Sequence, residues 1–305
     1  MTAPTTPAHP TSAPTTSYLI DPARPTIKLP PGSCDSHVHV FGPNSVFPYP
    51  PDRTFTPVGD APKEALFAMH AALGIEHCVI VQSGCHGFDN RVVADAIAAT
   101  KGNYCGVALL PVTVTDAELK RLDAQGFCGV RFNFMAHLGK AAPVDEIIAL
   151  TRRLADIGWH LQVHFDASLI DQLAPAFKRS AVPVVIDHMG RIDASKGIDQ
   201  PAFKTLLKLM DDPKFRVKVS GSERSSKAGP PYLDAVPFAA KLVAEFGHRC
   251  FWGTDWPHPN IHGPIPDDGV LTDLLAQIAP TPAQLKALLV DNPQNFYRFP
   301  RLLRA

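Results

Sequence analysis

The 305-residue chain has no apolar run near the ~18 residues that would cross a bilayer, so no membrane-spanning helix is expected. An excess of either charge is also missing, since 29 Lys and Arg balance 29 Asp and Glu. Without a global basic field, nucleic acid and anionic membrane surfaces are poor partners, although a local cationic pocket for a small anion stays open. Cysteine is sparse: six residues and no CxxC pair, which removes the spacing of thioredoxin-like and zinc-ribbon sites. No GxGxxG or GxxxxGK[ST] follows a strand-like run, so the usual signatures of dinucleotide and P-loop folds are lacking. The N-terminus, MTAPTTPAHPTSAPTTSYLIDPARP, has neither the basic start nor the apolar centre of a secretory signal.

What is present begins with that Pro/Thr-rich stretch, read as a flexible leader over 1–30 that can lie across the body. One domain is expected over 31–305. Cys34, Cys78, Cys105 and Cys128 fall inside apolar runs, as buried thiols in a reducing cytosol would, and a cytoplasmic location follows as an expectation. Cys85, in QSGCHG, follows a strand-like run, but no neighbouring base or cation marks it as an activated nucleophile.

Eight short β-rich runs alternate with helical patterns. The strands read as 33–40, 76–82, 104–110, 127–134, 159–165, 182–188, 214–220 and 249–255, most of them apolar on both faces. Helices are expected over 62–74, 90–101, 115–125, 144–158, 167–179, 200–211 and 233–246, with 268–278 and 282–291 in the tail. The first of these opens at Pro62 and stops at Gly74. Eight strand–helix units without a linker predict a single (β/α)8 TIM barrel.

In such a barrel, catalytic groups stand where strands end. His37 and His39 close the first strand two residues apart, hence on one side of it. Taken alone, the HxH spacing favours a pair of surface histidines. Strand five, however, ends in His164, strand six in Asp187–His188 and strand eight in Asp255, while Arg131 lies on strand four and Arg224 just past strand seven. Ionisable groups are costly to bury singly, so this convergence predicts a site at the barrel mouth.

His37, His39, His164, His188 and Asp255, in that order and on those strands, resemble the amidohydrolase superfamily. The segments CDSHVHVFGP, FPYPP, VIVQSGCHGFDN, GVRFNF, VVIDHMGR, AGPP, FWGTDWPHPN and IPDDG narrow the likeness to the 2-pyrone-4,6-dicarboxylate lactonases, from about Pro30 to the C-terminus. The resemblance implies a hydrolase that opens a carboxylated lactone in aromatic-compound catabolism. Asp255 would activate water, and His37, His39 and His188 would polarise the carbonyl. Arg131 and Arg224 are candidates for the substrate carboxylates, each with a protein acid as the competing partner. His137, His164, Phe55, Ser83 and Gly84 complete the expected substrate pocket.

The sequence departs from that family at three places. His164 stands where a Tyr is expected, Ala136–His137 where a second Arg is expected, and Phe55 where an aromatic hydroxyl is expected. The resembled family requires no cofactor. Yet His37, His39, His164 and Asp255 together form the set that binds one Zn²⁺ in mononuclear amidohydrolases, so both a metal-free and a mono-zinc site stay open. The rival reading is a zinc-dependent lactonase for another anion, such as 4-sulfomuconolactone or an aldonolactone. Further off stand a metal-dependent decarboxylase and a non-catalytic barrel. The expected partner is a small anionic lactone, and the expected assembly a monomer or small homo-oligomer.

Overall fold

The computed structural model describes residues 15–139 and 141–299. Eight parallel strands follow one another in sequence order: β1 (Cys34–Val38), β2 (His77–Val81), β3 (Tyr104–Ala108), β4 (Phe127–Phe134), β5 (His160–Phe165), β6 (Val184–Ile186), β7 (Phe215–Lys218) and β8 (Cys250–Phe251). The ring closes through backbone bonds rather than a regular ladder. Ser36 N–H donates to Trp252 O at 2.8 Å, Asp255 N–H to His37 O at 2.9 Å and His39 N–H to Trp256 O at 2.7 Å.

Helices α1 (Lys63–Leu73), α2 (Arg91–Ala98), α3 (Asp116–Ala124), α4 (Val144–Asp156), α5 (Ile170–Phe177) and α6 (Pro201–Met210) cover the first six strands. After β7 come the single turn α7 (Ser222–Ser225) and α8 (Val236–Phe246). The tail holds α9 (Asp268–Asp273), α10 (Leu275–Ile278), α11 (Pro282–Lys286), a π turn over Ala287–Asp291, and α12 (Asn292–Phe296). The boundary signals act as expected. Gly74 takes the left-handed conformation at the end of α1 and returns its N–H to His70 O. Ile147, Ile148, Leu150 and Leu154 form the buried stripe of α4. None of these helices is long and apolar enough to cross a membrane.

One apolar layer fills the space between strands and helices. A second, inside the barrel, gathers Cys34, Val79, Val81, Cys105, Val107, Cys128, Val185 and Phe251 against Tyr297 and Phe299. The chain's last described turn therefore plugs the N-terminal end of the barrel, and the polar groups are left to the opposite end. Residues 1–14 of the expected leader lie outside the described residues. Ser17 Oγ donates to Pro257 O, Tyr18 packs on Trp256 with ring centroids 4.8 Å apart, and Thr26 N–H reaches Asp273 at 2.7 Å.

Candidate active site

The first strand delivers two histidines because it is irregular. Its pairing with β2 shifts register between Asp35 and Val38. Such a bulge re-aims side chains, and here His37 and His39 both turn inward, with ring centroids 5.1 Å apart. Asp35 faces the other way and pins the closure, accepting from Thr254 Oγ1 at 2.6 Å and from the backbone N–H of Thr254 and His37. Gly253 is required at this seam, since a Cβ there would lie 2.6 Å from His37 N.

Asp255 follows β8 with φ 63, a left-handed conformation that is uncommon for a non-glycine residue and concentrates at functional sites. Its two oxygens have different company. Oδ2 accepts from Arg224 Nε and Nη2, each at 2.6 Å. Oδ1 faces three imidazole Nε2 atoms: His39 at 3.4 Å, His188 at 3.6 Å and His37 at 3.7 Å. Burial pushes the Asp255 carboxyl up, but Arg224 and the histidines outweigh it and hold it well below the usual carboxylate range. The group is ionised at neutral pH.

His37 and His188 are neutral by the opposite logic. Burial lowers the His188 pKa to about 3, and burial together with Lys218 holds His37 well below the ordinary value. His39 Nδ1 lies 2.7 Å from Val81 O, and a carbonyl only accepts, so Nδ1 carries the proton. In the neutral ring the Nε2 lone pair of His39 faces Asp255 Oδ1, acceptor against acceptor. Something that brings a proton or a positive charge belongs between them.

Beneath this layer lies a second polar layer, fully inside the barrel. Asp187 Oδ2 accepts from Arg131 Nε at 2.8 Å and Gln162 Nε2 at 3.1 Å. Lys218 donates to Gln162 Oε1 at 2.9 Å and sits 3.1 Å from His37 Nδ1. Burial pushes the Asp187 carboxyl up, and His37, Arg131 and Lys218 more than offset this. Ser220 Oγ, two residues along from Lys218, meets His188 Nδ1 at 3.0 Å.

A cavity of about 540 Å³ opens above Asp255. His39, His188, Arg131, Arg224, His137, His164, Phe55, Ser83, Gly84 and Asp255 all line it, and His37 lies fully buried just below. Arg224 is committed to Asp255 and to Pro259 O, with Glu223 at 3.4 Å. Arg131 spends its Nε on Asp187.

Sequence reasoning missed Arg191, which lines the same cavity and has no hydrogen bond or ion pair to another described residue. Burial, then the charge of Arg224, lowers its pKa to about 10, so it remains a cation. Its signal was present in VVIDHMGR, where an Arg follows His188 by three residues. Four consecutive left-handed residues, His188 (φ 47), Met189 (φ 52), Gly190 (φ 64) and Arg191 (φ 57), swing it back over the mouth. Gly221 makes room for this turn, since a Cβ there would lie 2.8 Å from His188 Cβ. Asn133, on the same side of β4 as Arg131, was also passed over. It holds His164 Nδ1 at 3.1 Å.

His70, His77 and His160 are buried away from the site. His70 bonds Tyr104 Oη at 2.6 Å, while His77 and His160 pack against the aromatic plug at Phe299 and at Phe296 and Tyr297. Cys85 is wholly buried and its thiol is pushed up to about 12, the state of a packing residue rather than a nucleophile. All six thiols are buried and free.

Two groups of three have metal-ligand types within 4.8 Å of one another, His37–His39–Asp255 and His37–Asp187–His188. His164, whose Nδ1 meets Asn133, belongs to neither, so three of the four expected ligands come together. By donor chemistry, His37, His39 and Asp255 fit a metal, and the facing acceptors on His39 and Asp255 are consistent with one.

Fold and site together define a (β/α)8-barrel hydrolase. The model of the Amidohydrolase family matches residues 34–299, and the chain belongs to that family. It is 44% identical to a 2-pyrone-4,6-dicarboxylate hydrolase of Comamonas testosteroni, over 92% of this chain and 94% of that protein. It is 39% identical to a 4-sulfomuconolactone hydrolase of Hydrogenophaga intermedia, over 92% of each. A crystal structure from Acinetobacter baumannii with citric acid bound has a TM-score of 0.77 at 26% identity, covering 87% of this chain and 99% of that one.

Proposed function

We propose that this chain opens the lactone ring of 2-pyrone-4,6-dicarboxylate. The observation that carries the proposal is the pairing of an ionised Asp255, ringed by imidazoles, with the uncommitted guanidinium of Arg191 across one small cavity. A dicarboxylated ring needs cations at its rim and a base at its carbonyl. The name of the Comamonas relative and the polycarboxylate bound in the Acinetobacter structure support the same substrate class.

In this reading Arg191, with His137 and the free end of Arg131, holds the carboxylates. Asp255 Oδ1 takes a proton from water while the water oxygen adds to the lactone carbonyl carbon. A neutral His39, with its proton on Nδ1, has no Nε2 proton to give, so its part shifts from polarising the carbonyl to accepting from that water. His37 and His188 face the developing oxyanion. Collapse breaks the ring C–O bond, and the leaving enol oxygen recovers the proton from Asp255. An enolate leaves more readily than a simple alkoxide, which lowers the demand for acid assistance. His37, His39 and Asp255 are the residues that would hold one Zn²⁺, which when bound would polarise the carbonyl and acidify water.

A substrate panel tests the assignment. The expected order of kcat/KM places 2-pyrone-4,6-dicarboxylate at least tenfold above 4-sulfomuconolactone and an aldonolactone. Turnover of the sulfonated lactone alone would move the chain to the activity of its Hydrogenophaga relative.

A further inference from the structure

Lys218 has no part in the chemistry described above, yet its side chain is completely buried at the centre of the barrel. An amine is costly to remove from water, and it persists in such a place when its surroundings use its charge or its protons. Its neighbours are acceptors: Gln162 Oε1 at 2.9 Å and Asp187 Oδ1 at 3.5 Å. The bond to Gln162 and the charge of Asp187 hold the amine as a donor. The third direction ends on His37 Nδ1 at 3.1 Å.

We infer that Lys218 is a positioning residue that sets the tautomer of His37, keeping its proton on Nε2 and aiming that N–H into the active site. An ammonium has protons and no lone pair, so a ring nitrogen facing it must accept. His37 Nδ1 is then unprotonated, and the single proton of the neutral ring lies on Nε2, 3.7 Å from Asp255 Oδ1. Asp187 Oδ1 competes for the same Nδ1 at 3.2 Å and favours the opposite tautomer. With Lys218 in place, however, an Nδ1–H would point at an ammonium.

The two histidines of the HxH pair are thus set in opposite senses. His39, tied to Val81 O, offers a lone pair at Nε2, and His37, tied to Lys218, offers a proton. That division suits a site in which one ring holds the attacking water and the other meets the oxyanion. A metal held by His37, His39 and Asp255 would take a lone pair at His37 Nε2, so the Nε2–H form is that of the metal-free site. The catalytic part of this inference rests on the lactonase reading, whereas the tautomer does not.

Two-bond ¹H–¹⁵N correlation spectra of ¹⁵N-histidine-labelled protein without substrate would decide it, with His37 assigned by loss of its peaks in His37→Asn. The expected wild-type pattern is Nε2–H for His37 and Nδ1–H for His39. An Nδ1–H pattern for His37 in the wild type overturns the inference, and needs no variant that folds. In Lys218→Met, Asp187 is left as the partner, so His37 is expected to switch to Nδ1–H while His39 keeps its pattern. An unchanged His37 pattern in that variant, with His39 peaks intact, also overturns it. On the pyrone dicarboxylate, Lys218→Met is expected to lower kcat about 10²-fold with little change in KM, the signature of a donor used in the transition state. If the tautomers are as stated but the wild type leaves the pyrone untouched, the substrate assignment fails and the positioning role stands.

Discussion

Asp255 illustrates how one carboxylate can be divided between two tasks. Arg224 takes Oδ2 and keeps the group ionised, and Oδ1 is left for the proposed proton transfer. Arg191 and Arg224 should therefore fail in different ways. Arg191→Met removes a charge-assisted contact worth about 1.5–3 kcal/mol, so KM for the pyrone dicarboxylate should rise roughly ten- to hundredfold with kcat nearly unchanged. Arg224→Met should lower kcat itself. With the guanidinium gone, burial again pushes the Asp255 carboxyl up, and the acid limb of the kcat/KM profile should move to higher pH. Steady-state kinetics across pH would separate the two. Equal effects on KM alone would return Arg224 to simple substrate binding. The polar strand ends were legible because an ionisable residue closing an apolar run stands out. Arg191 and Lys218 were not. The first depends on a left-handed turn that no period describes, and the second sits in KFRVKVS, whose alternation reads as a strand with one solvated face.

At the scale of elements, all eight strands and the helices between them could be read, since strands covered on both faces stay apolar throughout. The ends of the barrel were harder. RCFWGTD reads as a seven-residue strand, yet β8 holds two ladder residues before the chain leaves the regular pattern to close on β1. The bulge in β1 is equally invisible, because every residue of CDSHV remains buried on either side of it. Gly253 makes the prediction at this level. In Gly253→Ala the new methyl group meets His37 N, so the seam must open. A loss of about 1–3 kcal/mol, typical of overpacking, should appear as a lower Tm, together with lost turnover. A variant as stable and active as the wild type would show that the seam does not position His37 and Asp255.

For the whole molecule, the balanced charge said nothing of where charge lies. The buried histidines are expected to set the acid stability. Burial lowers His188 and His160 to about 3 and His86 to about 4. In the unfolded chain these rings take protons near pH ~6.5. Between those values the unfolded state binds more protons, so stability falls as pH drops through that window, by up to about 1.4 kcal/mol per ring and pH unit. The depressed carboxylates of Asp187 and Asp255 add stability that is lost only at still lower pH. Thermal melts from pH 7.5 to 4 should show Tm declining from near pH 6.5. A flat Tm down to pH 4.5 would mean that these rings are charged in the folded protein.

The account stands or falls on Asp255 as the base of a pyrone lactonase. The direct measurement follows the ultraviolet absorbance of 2-pyrone-4,6-dicarboxylate with wild type and Asp255→Asn side by side, each with and without added zinc. The wild type should remove the absorbance, and Asp255→Asn should be slower by about 10³-fold or more while still binding the pyrone. A pyrone untouched by the wild type under both conditions, or opened equally fast by Asp255→Asn, would contradict it.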